Sequence, residues 1–589
     1  MSKQNGSWTR AGSMGDLEPG DAKAVQLGDE GRSVALFNVE GKIYATDNQC
    51  PHMGYPLTRG VVRNGILTCD WHGRRFDLDG GGCFNNLCDN LEVFPVDVRE
   101  GEIWIQQADP EYRRKEEHLS LLWEGLLRAD RWTISKAIAL MLRGRVPEEE
   151  IAAVVLRHFG RHIASSRGPD ASRQVAELVN GLRVSQRYDG EDRLIALGTA
   201  ATSAAGEAAE RLEVVVLPDP VTWERIEGWV RMFSANGQAN RIERCLFTAR
   251  ARGDADRILP LLYECVVQPS FLGHGDSLWC LGYLAEIIED FGWDSSAELV
   301  LNMGSKMAGR GRGEPDLHRR DGICKLSSLA SLVEEAAGRT REEVEFDEDG
   351  LVAALQSADV ERSFDAMAAA VQSGVKLERI ITTCILLAAD RMARTPVNVD
   401  GGWECLRTEL MLARSLRVAL PVAGAKVAIM GLFHVAWQFF TDRWLNIPGR
   451  PLSQAPPVDA GEAENGDASL DAVCHSVSTL DIQGVGPRVQ AYLAAGGDGE
   501  QLLTQLGRLI LWNDTGVQLL PTLRTVFDEF ANAQGSDPAT GGGHPSRDQL
   551  LVGLARYATD VRTKKEGSSS TSMAMRFAEG RTTVDAFND

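Results

Sequence analysis

The sequence predicts a multidomain chain: an N-terminal all-β sandwich followed by a large all-α array of helical hairpins. Three observations predict this. Short runs of β-branched and aromatic residues punctuated by glycine fill the chain up to Asp109. From Leu119 that alternation gives way to helical periodicity, as at Ile134, Ile138, Met141 and Leu142. A length of 589 residues also exceeds what one hydrophobic core serves. The expected layout is a β domain at 7–109, a charged linker at 110–120, and helical hairpins at 121–446. A Pro-rich acidic loop at 447–469, a C-terminal helical unit at 470–565 and a Ser-rich tail at 566–589 complete it.

Within the β domain, Ala24–Leu27, Ser33–Val39 and Lys42–Thr46 are expected strands, with a hairpin turn at Glu40-Gly41. Leu91–Val98 and Glu102–Gln106 form a second set, joined at Arg99-Glu100-Gly101. Between the sets lie Cys50-Pro51-His52 and, sixteen residues later, Cys69-Asp70-Trp71-His72. Each loop offers one soft thiolate and one imidazole, so the pair of loops can close over a metal centre between them. A Cys2His2 zinc site would instead favour C-x-x-C and H-x-x-x-H pairs. Cys83 and Cys88 follow, and are expected to be ordinary reduced thiols.

Cys50-Pro51-His52-Met53-Gly54, Cys69-Asp70-Trp71-His72-Gly73 and Arg75-Phe76-Asp77-Leu78-Asp79-Gly80 resemble the loops of the Rieske ferredoxin family. The resemblance implies a [2Fe–2S] cluster with Cys50 and Cys69 on one iron and His52 and His72 on the other. High-potential members carry two loop-bridging cysteines and a serine where this chain has Tyr55, Trp71 and Arg74. The resemblance therefore implies the lower-potential, ferredoxin or oxygenase type.

The helical part contains a near-repeat in which a helix ends at glycine, charged residues follow and an aliphatic helix begins. It occurs around Gly144, Gly253, Gly374 and Gly496. Glycine is expected to close each first helix in a left-handed turn. The hairpin pattern is similar to that of carboxymuconolactone decarboxylase-like proteins, whose peroxidase branch uses a C-x-x-C that this chain lacks. Leu272-Gly273-His274-Gly275 and Arg443–Pro448 resemble a group of long bacterial Rieske-domain proteins. Loops are expected at Arg310–Pro315 and Ile447–Asp467.

Charge and composition exclude some partners. Lys plus Arg number 62 against 83 Asp plus Glu, for a net charge of −21, which argues against nucleic acid. The first residues have no apolar core like that of a signal peptide. The longest apolar stretch, Val418–Phe440, contains Pro421 and Lys426, so two buried helical segments are expected and no membrane span. Eleven unpatterned cysteines suit a reducing compartment, and the cytoplasm is the expected location.

A Rieske oxygenase would add a mononuclear iron. His158 and His162 sit at helical spacing, but Val155 stands where that family has an acid or amide, so a basic helix end is expected there. His274, in a glycine-flanked turn, is the candidate catalytic residue, with Glu264, Asp276, His434 (two turns before Asp442) and His544 behind it. Two functions follow. In one, a Rieske oxidoreductase takes an electron from a reductase or ferredoxin and passes it to a small-molecule substrate or second metal or cofactor, as in monooxygenation. In the other, a tethered ferredoxin docks an acceptor protein through its helical array.

Overall fold

The computed structural model describes residues 8–27, 32–106, 115–162, 169–206, 213–268, 275–310, 317–395, 402–443, 469–513, 519–533, 546–561, 574–575 and 578. An N-terminal β region, residues 8–106, precedes some twenty helices. The expected loops at Arg310–Pro315, beyond Arg310 itself, and at Ile447–Asp467 fall outside the described residues, as does nearly all of the tail.

The β region contains strands β1 (Trp8–Ser13), β2 (Ala22–Leu27), β3 (Arg32–Val39), β4 (Lys42–Asp47), β5 (Val61–Arg63), β6 (Ile66–Thr68), β7 (Arg75–Asp77), β8 (Val93–Phe94), β9 (Val96–Arg99) and β10 (Glu102–Gln106). They form three antiparallel sheets, ordered β1-β10-β9, β2-β3-β4-β8 and β5-β6-β7. Three two-residue turns join neighbours, at Glu40-Gly41, Asn64-Gly65 and Glu100-Gly101. All six residues have φ between 52° and 91°, the backbone that a right-twisted hairpin needs.

The middle sheet has a core on each face. Val34 and Leu36 of β3 pack with Leu27, Ile43, Phe94, Ile103 and Ile105. The alternate residues Ala35 and Phe37 pack with Leu57, Leu67, Phe76, Leu78 and Leu91, and with Cys50 and Cys69. That two-sided burial explains the unbroken apolar run Val34-Ala35-Leu36-Phe37. The expected strand Leu91–Val98 is divided: Pro95 has no N–H to give a ladder, so β8 pairs with β4 and β9 with β10 on either side of it.

The chain groups into two compact units. The first is Met1–His158, Ser185–Glu207 and Glu566–Asp589; the second is Phe159–Val184 and Ala208–Lys565. Helices α1 (Lys115–Leu127), α2 (Arg131–Arg143) and α5 (Gly190–Ser203) thus belong with the β region, while α3 (Glu148–His162) and α4 (Pro169–Ser185) each have an end in either unit. Asp130 caps α2, its Oδ1 accepting from Thr133 N at 2.8 Å. Gly253, Gly374 and Gly496 close their helices with φ of 85–90°, as expected. The first copy differs: Gly144 has φ −73°, and Arg145 takes the left-handed position at 56°.

In the second unit, the helices Gly275–Ala308 and Gly402–Thr441 are each broken at a glycine outside helical φ/ψ, Gly292 and Gly424. Gly424 lies inside Val418–Phe440, so that stretch is two helical segments, as expected, but only the part from Val427 on is largely buried: Pro421 and Lys426 are exposed and Val418, Leu420 and Val422 half-buried. By length and composition Gly402–Thr441 is apolar enough to cross a membrane; half of its most apolar window is buried within the protein.

Glu286, 3% exposed, anchors this unit. It faces Arg414 at 2.9 Å, Arg524 at 2.8 Å and Arg183 at 3.5 Å. Burial alone would raise its pKa, but Arg414 and Arg524 outweigh it and hold the carboxyl at about 2. A depressed carboxyl stabilises above its unfolded value near 4.5 and loses that contribution as pH falls toward 2. Thermal unfolding should therefore show Tm falling between pH 5 and pH 2. Glu286→Gln should lower Tm at neutral pH, at a cost of about 3 kcal/mol or more, and flatten the acid dependence.

Candidate metal centre

The two loops between β4 and β7 are built alike. Cys50 N donates to Tyr55 O at 2.9 Å and Gly54 N to Cys50 O at 2.7 Å. Cys69 N donates to Arg74 O at 2.8 Å and Gly73 N to Cys69 O at 3.0 Å. Gly54 and Gly73 both take positive φ, 80° and 65°, which folds each loop back over its cysteine. The repeated geometry carries both sulfurs into one apolar core, 1% exposed each.

The thiols of Cys50 and Cys69 are hydrogen-bonded to each other. That bond lowers Cys69 to about 6 and pushes Cys50 well up, so the pair shares a proton. Backbone N–H groups of His52 and Met53 point at the Cys50 sulfur, and those of Trp71 and His72 at the Cys69 sulfur. Two sulfurs that share a proton under four amide dipoles are equally placed to share a cation.

The imidazoles of His52 and His72 face each other edge-on, with ring centroids 4.9 Å apart and planes at 89°. His52 Nδ1 is buried with no hydrogen-bond partner among the described residues, while its Nε2 lies 3.2 Å from Arg74. Burial lowers the His52 pKa to about 4, with Arg74 and His72 adding to it; burial and Arg74 also lower that of exposed His72. Neutral imidazole with Nδ1 free and inward suits a metal ligand. Among the described residues no group of three or more His, Cys, Asp and Glu side chains is placed around one ion. A two-iron cluster bridged by its own sulfides asks each iron's site for only two protein donors, so the donor set fits.

Tyr55 and Trp71, the positions compared above with bridging cysteines, form an aromatic contact across the two loops, with centroids 5.9 Å apart. Trp71 continues onto His72 at 4.0 Å and is 40% exposed, so the loop tips present an aromatic edge to solvent.

Sequence reasoning missed the support that α2 gives to the first loop. Trp132 Nε1 donates to His52 O at 2.7 Å, and Lys136 Nζ to Pro51 O at 2.9 Å. Lys136 is fully buried and also pairs with buried Asp89 at 3.3 Å. The signal was present: a lone lysine between Ile134 and Ala137-Ile138 on an otherwise apolar helical face.

The candidates for a second site fare differently. His274 and His544 lie outside the described residues. His158 is fully buried, edge-on to Trp123 at 5.2 Å, so the basic last turn of α3 consists of Arg161 and His162. Glu264 pairs with Arg231 at 2.5 Å, and Asp276 with Arg310. His434 Nε2 meets Val267 O at 3.1 Å, and burial lowers its pKa to about 4. Asp442 has other partners, accepting from Gln438 at 2.6 Å beside Glu409 and Arg391.

A residue not anticipated stands out in the second unit. Arg407 is 5% exposed, and its guanidinium makes no hydrogen bond or ion pair among the described residues. Tyr557, Glu404 and Tyr283 are near enough to act on it electrostatically. Trp403 packs on Tyr557 at 5.4 Å and Trp279 on Tyr283 at 5.8 Å.

A profile of the Rieske [2Fe-2S] domain matches residues 7–95. The ferredoxin component of the naphthalene 1,2-dioxygenase system of Pseudomonas putida is 32% identical over 99 residues, 17% of this chain and 93% of that protein. The 4beta-methylsterol monooxygenase of Methylococcus capsulatus is 32% identical over 109 residues, 16% of this chain and 28% of that protein. Among solved structures, the Sphingomonas yanoikuyae B1 ferredoxin is 28% identical over 17% of this chain and 99% of its own, with a TM-score of 0.16.

Proposed function

Because this chain belongs to the Rieske [2Fe-2S] family through its N-terminal domain, we propose that it is a Rieske-type oxidoreductase whose acceptor binds in the helical region. Cys50 and Cys69 would hold one iron and His52 and His72 the other. Electrons would arrive one at a time from a reductase or ferredoxin and leave for a substrate or second cofactor, with monooxygenation, which takes two electrons, two protons and dioxygen, the reaction class. The cluster supplies one-electron storage at the lower end of the Rieske potential range.

The chain's own groups set the conditions for that storage. The amides of His52, Met53, Trp71 and His72 stabilise the two thiolates. Arg74 at His52 and Lys136 beneath Pro51 place positive charge where the centre gains an electron. No serine hydroxyl stands at position 74, which keeps the potential low. Trp71 and His72 form the exposed edge through which an electron can enter or leave.

The matched pair of loops, with His52 Nδ1 turned inward and free, carries the cluster assignment. Arg407 supports an acceptor in the helical region. A guanidinium stays charged at any physiological pH, and burying it unpaired costs several kcal/mol. An anionic ligand would offset that cost, and the aromatic neighbours suit an aromatic carboxylate. No disulfide joins the nine cysteines other than Cys50 and Cys69, which suits a reducing cytoplasmic location.

A second reading, a tethered ferredoxin that serves a protein acceptor, is supported by the ferredoxin-length match and the exposed aromatic edge. One experiment separates the two. Holoprotein reduced by one electron is mixed with dioxygen, with and without each of a panel of aromatic carboxylates, while cluster reoxidation is followed. The first reading expects a carboxylate that speeds reoxidation and raises Tm, with both effects lost in Arg407→Leu at unchanged iron content. If no carboxylate does so and iron stays at two per chain, electrons leave to a protein.

A further inference from the structure

Cys83 and Cys88 lie in the loop 82–90, which begins and ends at one point. Leu91 N donates to Gly81 O at 2.7 Å, and Gly81 has φ 77° with a would-be Cβ only 1.9 Å from Leu91 O, so only glycine fits there. Inside this pinched loop the two thiols lie near enough to act on each other, and the Cys83 thiol donates to Asn85 O at 3.5 Å. Both are partly buried against the core that holds Cys50 and Cys69. The backbone is fixed around them. Cys83 N donates to Asn90 Oδ1 at 2.9 Å, Leu87 N to Glu124 Oε2 at 3.1 Å, and Arg74 to Asn86 O at 3.2 Å. The second guanidinium nitrogen of that same Arg74 lies 3.2 Å from His52 Nε2.

We propose that Cys83 and Cys88 are a redox-active dithiol, converted to a disulfide by low-molecular-weight disulfides, and that Arg74 relays its state to the iron–sulfur centre. The Cys83 thiolate attacks one sulfur of RSSR, forming a mixed disulfide and releasing RS⁻, which takes up a proton. The Cys88 sulfur then displaces the second RS⁻ as the Cys83–Cys88 bond forms. The protein loses two electrons and two protons, and RSSR becomes two RSH.

Three features favour this pair over the remaining cysteines. Proximity removes the search for a partner, and partial exposure admits a small oxidant. The site is also electropositive. Arg74 and Lys136 both lie near enough to Cys83 to act on it electrostatically. By contrast Cys280 and Cys384 are fully buried and their thiols are pushed up to well above the usual value and to about 12. Closing the disulfide shortens the loop that carries Asn86 O. That pulls the carbonyl from Arg74, frees the guanidinium from His52 and lowers the cluster potential.

The test uses the full-length holoprotein. It is equilibrated with oxidised and reduced glutathione over a range of ratios, alkylated, and mapped by peptide mass. Cluster absorbance and midpoint potential are measured on the same samples. The expected result is a Cys83–Cys88 linked peptide, two mass units lighter than the dithiol, formed before any other linkage. It comes with full cluster absorbance and a lower midpoint potential, and the potential of Cys83→Ser does not respond to glutathione. Free alkylation of both cysteines after oxidation overturns the proposal, as does linkage only after cluster loss. A linked protein with an unchanged potential overturns the relay through Arg74.

Discussion

Substituting His72 by cysteine should lower the midpoint potential by about 200 mV and move the spectra toward those of an all-cysteine [2Fe–2S] centre. The substitution exchanges a neutral imidazole for an anionic thiolate, so the reduced state acquires extra negative charge. His72 is the ligand position best suited to the exchange, because it is exposed and its loop is closed by backbone bonds independent of the side chain. A 200 mV fall in a one-electron couple is more than a thousandfold in the transfer equilibrium, since about 59 mV is tenfold. Reduction by a reductase should therefore fail even though the cluster assembles. Visible spectroscopy and redox titration of the variant check this. An unchanged potential and spectrum would remove His72 from the ligand set.

Replacing Lys136 by methionine should destabilise the cluster-bearing unit by about 3–5 kcal/mol, the range for breaking a buried ion pair from one side. The change strands two groups together, the Asp89 carboxylate at 9% exposure and the Pro51 carbonyl between two proposed ligands. Loss of iron on dilution should quicken, because the first loop then loses the Lys136 anchor on α2 and leans on Trp132. Changing Asp89 to leucine in the same chain should recover part of the stability, since no unpaired charge remains. Unfolding followed by cluster absorbance gives both quantities. A Lys136→Met protein as stable as the parent would show that the α2 contact is incidental.

The β region was legible because its residues obey simple periods and turns. Val34-Ala35-Leu36-Phe37 announces a strand buried on both faces, and Glu40-Gly41 and Glu100-Gly101 mark their hairpins. Pro95 was a visible break in the expected Leu91–Val98 strand, and the chain changes sheet there. The four proposed ligands were named from the resemblance of their two loops to those of Rieske ferredoxins. The supporting shell was not, because its contacts join distant positions: Lys136 reaches across 85 residues to Pro51, and Trp132 across 80 to His52. Lys136 carries a local signature, a single charge set among apolar neighbours on a helix, whereas Arg407 lies between Glu404 and Glu409 and has none. Periodicity alone assigns such a charge to the surface; burial shows that it has work inside. Arg145 in the left-handed turn is a further instance, since the adjacent glycine looked the better candidate and the turn simply falls one residue later.

Pulsed EPR on one-electron-reduced holoprotein grown with 15N-histidine tests the ligand set most directly. The expected result is a Rieske-type signal coupled to two histidine nitrogens, reduced to one in His72→Cys, with about two irons and two sulfides per chain. A signal without histidine coupling, or coupling that survives unchanged in that variant, would contradict it.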